Sequence, residues 1–169
     1  MNMLVKILVE IFILWCMFAV YMAILVGRKG PIGGIQFYPR EVQERAVERK
    51  LITEEQIKKQ RSVSMWLLVF LDVVILFMMI IGINHAKSYW ECAWQWYVLF
   101  AGQELFDWFA VDVFWVTMTS WWIIPGTEDL LHLWHDPWIK CKGKLKLIPA
   151  AVPVAAAAGG LYYLISHML

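Results

Sequence analysis

Four carboxyl groups stand in parts of this chain that offer them little to pair with: Asp72, Glu104, Asp107 and Asp112, each set among Val, Leu, Phe and Trp. A carboxyl in such surroundings is protonated, solvated in a cavity, or bound to a cation. That is the chemistry of proton- and cation-binding sites. At 100° per residue, Asp107 falls about 60° to one side of Glu104 and Asp112 about 80° to the other. The three acids therefore share one broad helical face, on which Trp108 and Trp115 and the neighbouring Gln103 are candidate site lining. Asp72, approaching on another helix, should reach the depth of Asp107 or Asp112. Within the first three apolar runs the one basic residue is Lys6, at the far end, one turn from Glu10 and expected to pair with it. The four acids are thus expected to lack a partner. The alternative is interhelical hydrogen bonding by protonated carboxyls.

A second constellation lies at residues 128–135, where Asp129, His132 and His135 fall at three-residue spacings. On an α-helix these are candidate ligands for a divalent metal, a possible cofactor, since imidazole and carboxylate suit Zn, Fe or Mn. With Asp107 and Asp112 nearby, such a metal would suit an enzyme acting on a lipophilic substrate. The pattern is not H-E-x-x-H, and the chain holds no Walker loop, Gly-x-Ser-x-Gly or dinucleotide fingerprint. Capping by Thr127 and headgroup contacts are the plainer expectation there.

The elements that position these residues follow from composition. Of 169 residues, 61% are hydrophobic and 17% charged, against about 45–50% and about 25% in soluble domains. The excess sits in long runs, at about 3–27, 63–84, 89–118 and 145–166, each long enough to cross about 30 Å of hydrocarbon. No alternation suggests a β-barrel. The expected fold is all-α, a polytopic four-helix transmembrane bundle forming a single membrane domain over 1–169.

The connection 28–62 carries Arg28, Lys29, Arg40, Arg45, Arg49, Lys50, Lys58, Lys59 and Arg61, and the connection after the third run carries Lys140, Lys142, Lys144 and Lys146. The other flanks have only Lys6 and Lys87, so both basic loops are expected in the cytoplasm and both termini outside. Residues 39–62 read as a cytoplasmic helical hairpin with a capping box at Thr53–Gln56, supported by Glu41/Arg45 and Glu54/Lys58 pairs. Residues 128–135 read as a short interfacial helix. In the fourth run, Pro149 and Pro153 are expected in the first turns, and Ala155 to Gly160 form a small-residue face for close packing.

The bilayer is the expected environment, with a second copy of the chain or a membrane-complex subunit as partner. Nucleic acid is not expected, because five acids interleave with the basic residues of 28–62. Three functions fit: a small proton or cation transporter or channel subunit, an intramembrane enzyme, or an accessory subunit without chemistry.

Overall fold

A computed structural model describes residues 2–27 and 29–168; Arg28, counted above among the basic residues of the first loop, lies outside them. Every regular element is helical, and no strand occurs among the described residues. In chain order the long elements are α1 (Met3–Gly27), α2 (Arg40–Glu48), α3 (Glu54–Phe77), α4 (Tyr89–Phe106) and α5 (Pro137–Met168). Two stretches are π-helical: Met78–Ile83, which continues α3, and Asp107–Thr117, which continues α4. Short 3-10 turns cover Gly30–Phe37, Ser120–Trp122 and Glu128–Leu133.

Three helices are long and apolar enough to cross a membrane: Met3–Gly27, Glu54–Ile83 and Pro137–Ile165. The expected span at 89–118 is not among them. Its residues do form one continuous helical rod, but Glu91, Glu104, Asp107 and Asp112 interrupt its apolar character.

Local sequence explains the helix starts. Thr53 Oγ1 accepts from the Gln56 backbone N–H, and the Gln56 side chain accepts from the Thr53 N–H, so the capping box forms as its spacing requires. The helix it opens runs without a break into the apolar part of α3. Ser88 caps α4 by accepting from the Glu91 N–H. Pro137 opens α5, where its missing N–H would have been unpaired anyway. Because α5 begins here rather than near residue 145, Pro149 and Pro153 sit in its interior and not in its first turns.

Two hydrophobic clusters hold the elements, one at each end. The first joins Ile7 and Leu14 of α1, Leu76 of α3, the Met79–Ile80 turn, Trp96 and Leu99 of α4, and Ala151, Ala155 and Tyr162 of α5. Its tightest seam is α4 against α5, where Gly159 lies on the Tyr89 carbonyl and the Ala93 methyl, so a side chain there would collide with backbone. This is the close approach that the small residues of α5 permit. The second cluster joins Met22 and Val26 to Ile35, Tyr38, Val42, Ile52, Val111, Trp122, Ile124 and Trp134. It draws the loop after α1 and the loop before α5 onto one end of the helices. Arg45 fastens that end, reaching Asp129 through both guanidinium nitrogens at 3.2 and 3.3 Å. Among the described residues the expected Glu41/Arg45 and Glu54/Lys58 pairs do not form; the local pairs are Arg40–Glu44 and Arg45–Glu48.

At the opposite end, Lys6 and Glu10 do not bond each other. Lys6 Nζ donates to the Ile83 carbonyl, and Glu10, 3% exposed, accepts from Asn84 Nδ2 at 2.9 Å. The π-helical turn after α3 brings both acceptor and donor within reach.

Candidate functional site

Between the two clusters lies a cavity of about 300 Å³, walled by α1, α3, the π-helical stretch 107–117 and the aromatic residues of the two loops. Asp72, Glu104, Asp107, Asp112 and Gln103 all line it, so the five polar residues singled out by spacing converge. The π-helix helps to bring them together. In an α-helix Asp107 and Asp112 would point about 140° apart. The wider i→i+5 ladder brings residues five apart much closer to one face. Thr117 Oγ1, donating to the Val113 carbonyl at 2.6 Å, supports the end of this stretch. No signal in the sequence announces it.

Three of the four acids are not alone, contrary to expectation. Lys140 Nζ lies 3.1 Å from Asp112, and Lys144 Nζ lies 2.7 Å from Glu104 and also bonds Asp107. By hydropathy the lysines read as loop residues, because the apolar run begins only at residue 145. The helix itself begins at Pro137, which sets Lys140 and Lys144 one turn apart on the face turned to the π-helix. Their four-residue spacing was visible; their membership in the helix was not. All these groups are shielded, with side-chain exposures between 13% and 22%.

Asp72 is the exception. It enters from α3, and among the described residues it has neither an ion-pair nor a hydrogen-bond partner. Its charged neighbour is Glu104. Four carboxyls thus face two ammonium groups, and the site carries surplus negative charge when all are ionised.

The rest of the wall is apolar, with Met22, Leu68, Val111 and Val116 beside five aromatic residues. Phe18, Phe37, Tyr38, Trp122 and Trp134 line the cavity toward the second cluster. Tyr38 packs edge-on to Trp134 and donates to the Trp122 carbonyl at 2.6 Å; burial pushes its phenol well above the ordinary range. Trp108 and Trp115, expected as lining, are not in the wall. Trp115 stacks on Trp121 and meets Trp122 edge-on, so it supports the wall from behind. Trp122 is 2% exposed because the loop folds it inward. Neither Tyr38 nor Trp134 is marked by the sequence as cavity lining, since loop aromatics carry no periodic signature.

Asp129, His132 and His135 do not converge. No group of three His, Cys, Asp or Glu side chains able to hold a metal ion occurs among the described residues. The segment 128–133 is 3-10 rather than α-helical, which changes the facing of residues three and four apart. Asp129 is engaged by Arg45, His132 Nδ1 lies 3.0 Å from the Asp129 carbonyl, and His135 Nε2 faces the Thr119 carbonyl. Thr127 turns its hydroxyl back to the Ile124 carbonyl instead of capping this turn. Glu128 accepts from the Gly126 N–H at 2.9 Å, which holds its carboxyl below the usual range.

No protein-family model matches the chain, and neither a curated protein nor a solved structure shows significant similarity to it.

Proposed function

We propose that this protein is an integral membrane protein that binds protons or cations in the cavity around Asp72, as a small transporter or channel subunit. The observation that carries this is the unpartnered carboxyl of Asp72 in a cavity where Glu104, Asp107 and Asp112 already exceed the lysines that neutralise them. A buried charge without a partner is costly and is kept where it does work. Removing a proton from Asp72, or adding one, alters the balance of the whole set, because Lys144 is shared between two carboxylates.

In this account the rod at 89–118 is a fourth membrane-crossing helix, its acids facing the bundle and its Phe109 and Phe114 exposed outward. The basic loops face the cytoplasm with the α2–α3 segment as a helical hairpin there, and both termini lie outside. The broad exposure of α3, with Trp66 and Phe70 bare, suits lipid or a second copy of the chain. Four spans are few for a pathway, which favours an oligomer.

The test is ion flux in proteoliposomes, read with a pH-sensitive dye and a potassium gradient. Wild-type protein should dissipate one of the two gradients, and Asp72→Asn and Glu104→Gln should each slow it at least tenfold. Equal flux in all three proteins, or none above empty liposomes, removes the proposal.

A further inference from the structure

The shape and lining of the cavity say more about its occupant than charge alone. Its volume of about 300 Å³ equals the share of about ten water molecules in the liquid, far more than a bare ion needs. A metal ion also wants several free carboxylate or carbonyl oxygens converging on one point. Here three of the four carboxyls already hold ammonium groups of this chain, Lys140 and Lys144, leaving Asp72 free. The site is therefore built to accept ammonium nitrogen, with one place open.

Phe18, Tyr38, Trp122 and Trp134 share the cavity wall with Asp72. Aromatic faces around a carboxylate attract organic cations, because the ring quadrupole favours positive charge and the rings cover apolar carbon. Trp122 and Trp134 are 2% and 3% exposed, and their indole N–H groups have no acceptor among the described residues. The Gln103 side-chain oxygen, in the same wall, has no donor among the described residues. Buried polar groups left open in the wall of a cavity mark places where a bound molecule can supply the missing partner.

We infer that the cavity binds a small organic ammonium ion bearing a hydroxyl or carbonyl oxygen, its nitrogen at Asp72 and its apolar carbons against Tyr38, Trp122 and Trp134. This rests on the cation-binding role proposed above and narrows it to a ligand class. The oxygen meets the indole donors or Gln103, and excess negative charge at the site rejects a free anion.

The probe is choline, titrated calorimetrically into the full-length protein in detergent, with its neutral carbon isostere 3,3-dimethylbutan-1-ol and potassium chloride as comparisons. Choline should bind saturably and the isostere at least thirtyfold more weakly. Asp72→Asn should weaken choline at least tenfold. Trp134→Leu should weaken it at least threefold, and the conservative Trp134→Phe should restore part of the loss, which a merely unfolded variant would not. Equal binding of the isostere, indifference to Asp72→Asn, or displacement of choline by equimolar potassium overturns the inference. If Asp72-dependent flux of potassium or protons persists while choline fails to bind, this inference falls and the proposed function stands. If neither flux nor choline binding occurs, both fall. Repeating the titration in nanodiscs with and without phosphatidylcholine identifies the natural source. Weaker choline binding in phosphatidylcholine supports a headgroup ammonium, and equal binding supports a free solute; either agrees with ammonium recognition.

Discussion

Lys144→Met is the most informative single perturbation of stability. Lys144 Nζ serves Glu104 at 2.7 Å and Asp107 as well, and the three side chains are 17%, 13% and 21% exposed. At that distance and an effective dielectric of about 20, the Lys144–Glu104 attraction alone is roughly 6 kcal/mol. Most of it offsets the desolvation of the ions, so the intact group contributes little net stability. Deleting only the ammonium forfeits the attraction and leaves two carboxylates beside each other, at a cost of about 3–5 kcal/mol. Replacing all three, as Lys144→Met with Glu104→Gln and Asp107→Asn, should return stability to within about 2 kcal/mol of wild type. Reversible unfolding in mixed detergent micelles, followed by tryptophan fluorescence, measures both. A loss below about 1 kcal/mol in the single variant would refute the reasoning. So would a triple variant as unstable as the single.

Further outcomes follow from other contacts. Asn84→Leu removes the donor to buried Glu10 and should cost about 1.5–3 kcal/mol, the range for a hydrogen bond to a charged group, in the same unfolding assay. Gly126→Ala should destabilise by about 1 kcal/mol or more, since Gly126 has φ +88° and the Arg49 guanidinium occupies the space a side chain would need. Asp129→Asn breaks an exposed pair with Arg45 and should change stability by less than about 1 kcal/mol, the difference vanishing in high salt. The Glu128 carboxyl is held below its ordinary pKa of 4.5 by the Gly126 N–H, so its contribution is present above that value and is lost as pH falls through the lowered one. The melting-temperature difference between wild type and Glu128→Gln should accordingly be seen at neutral pH and shrink in acid.

The long helices α1, α3 and α5 were legible because apolar runs of this length have few other uses, and the Thr53–Gln56 box marked its own helix start. The convergence of Asp72 with Glu104, Asp107 and Asp112 was legible for a related reason: acids in apolar helices turn inward. Their partners were not. Lys140 and Lys144 precede the apolar run, and hydropathy cannot tell a loop lysine from one on the first turns of a long helix whose stem lies along apolar surface. The π-helical stretch 107–117, which lies against α5, was hidden because no residue type in it distinguishes an i→i+5 ladder from an α-helical one. The aromatic wall was hidden for a third reason. Tyr38, Trp122 and Trp134 lie in loops, and only the folding of both loops onto one end of the helices brings them together. The histidine pair misled because its spacing was judged on an α-helix that does not form.

The proposed cation-binding role requires that the cavity beside Asp72 be reachable from water. Leu68 lines that cavity one turn from Asp72, whereas Phe70 on the same helix is 62% exposed on the outer surface. In a background with Cys16, Cys92 and Cys141 replaced by Ser, Leu68→Cys and Phe70→Cys should be challenged with a membrane-impermeant thiol reagent in oriented membranes. The account predicts that Leu68→Cys is labelled from the side of the basic loops, that an added cation slows the labelling, and that Asp72→Asn abolishes the slowing. Phe70→Cys should stay unlabelled. Leu68→Cys as unreactive as Phe70→Cys from both sides, or labelling indifferent to cation with Asp72 intact, would contradict it.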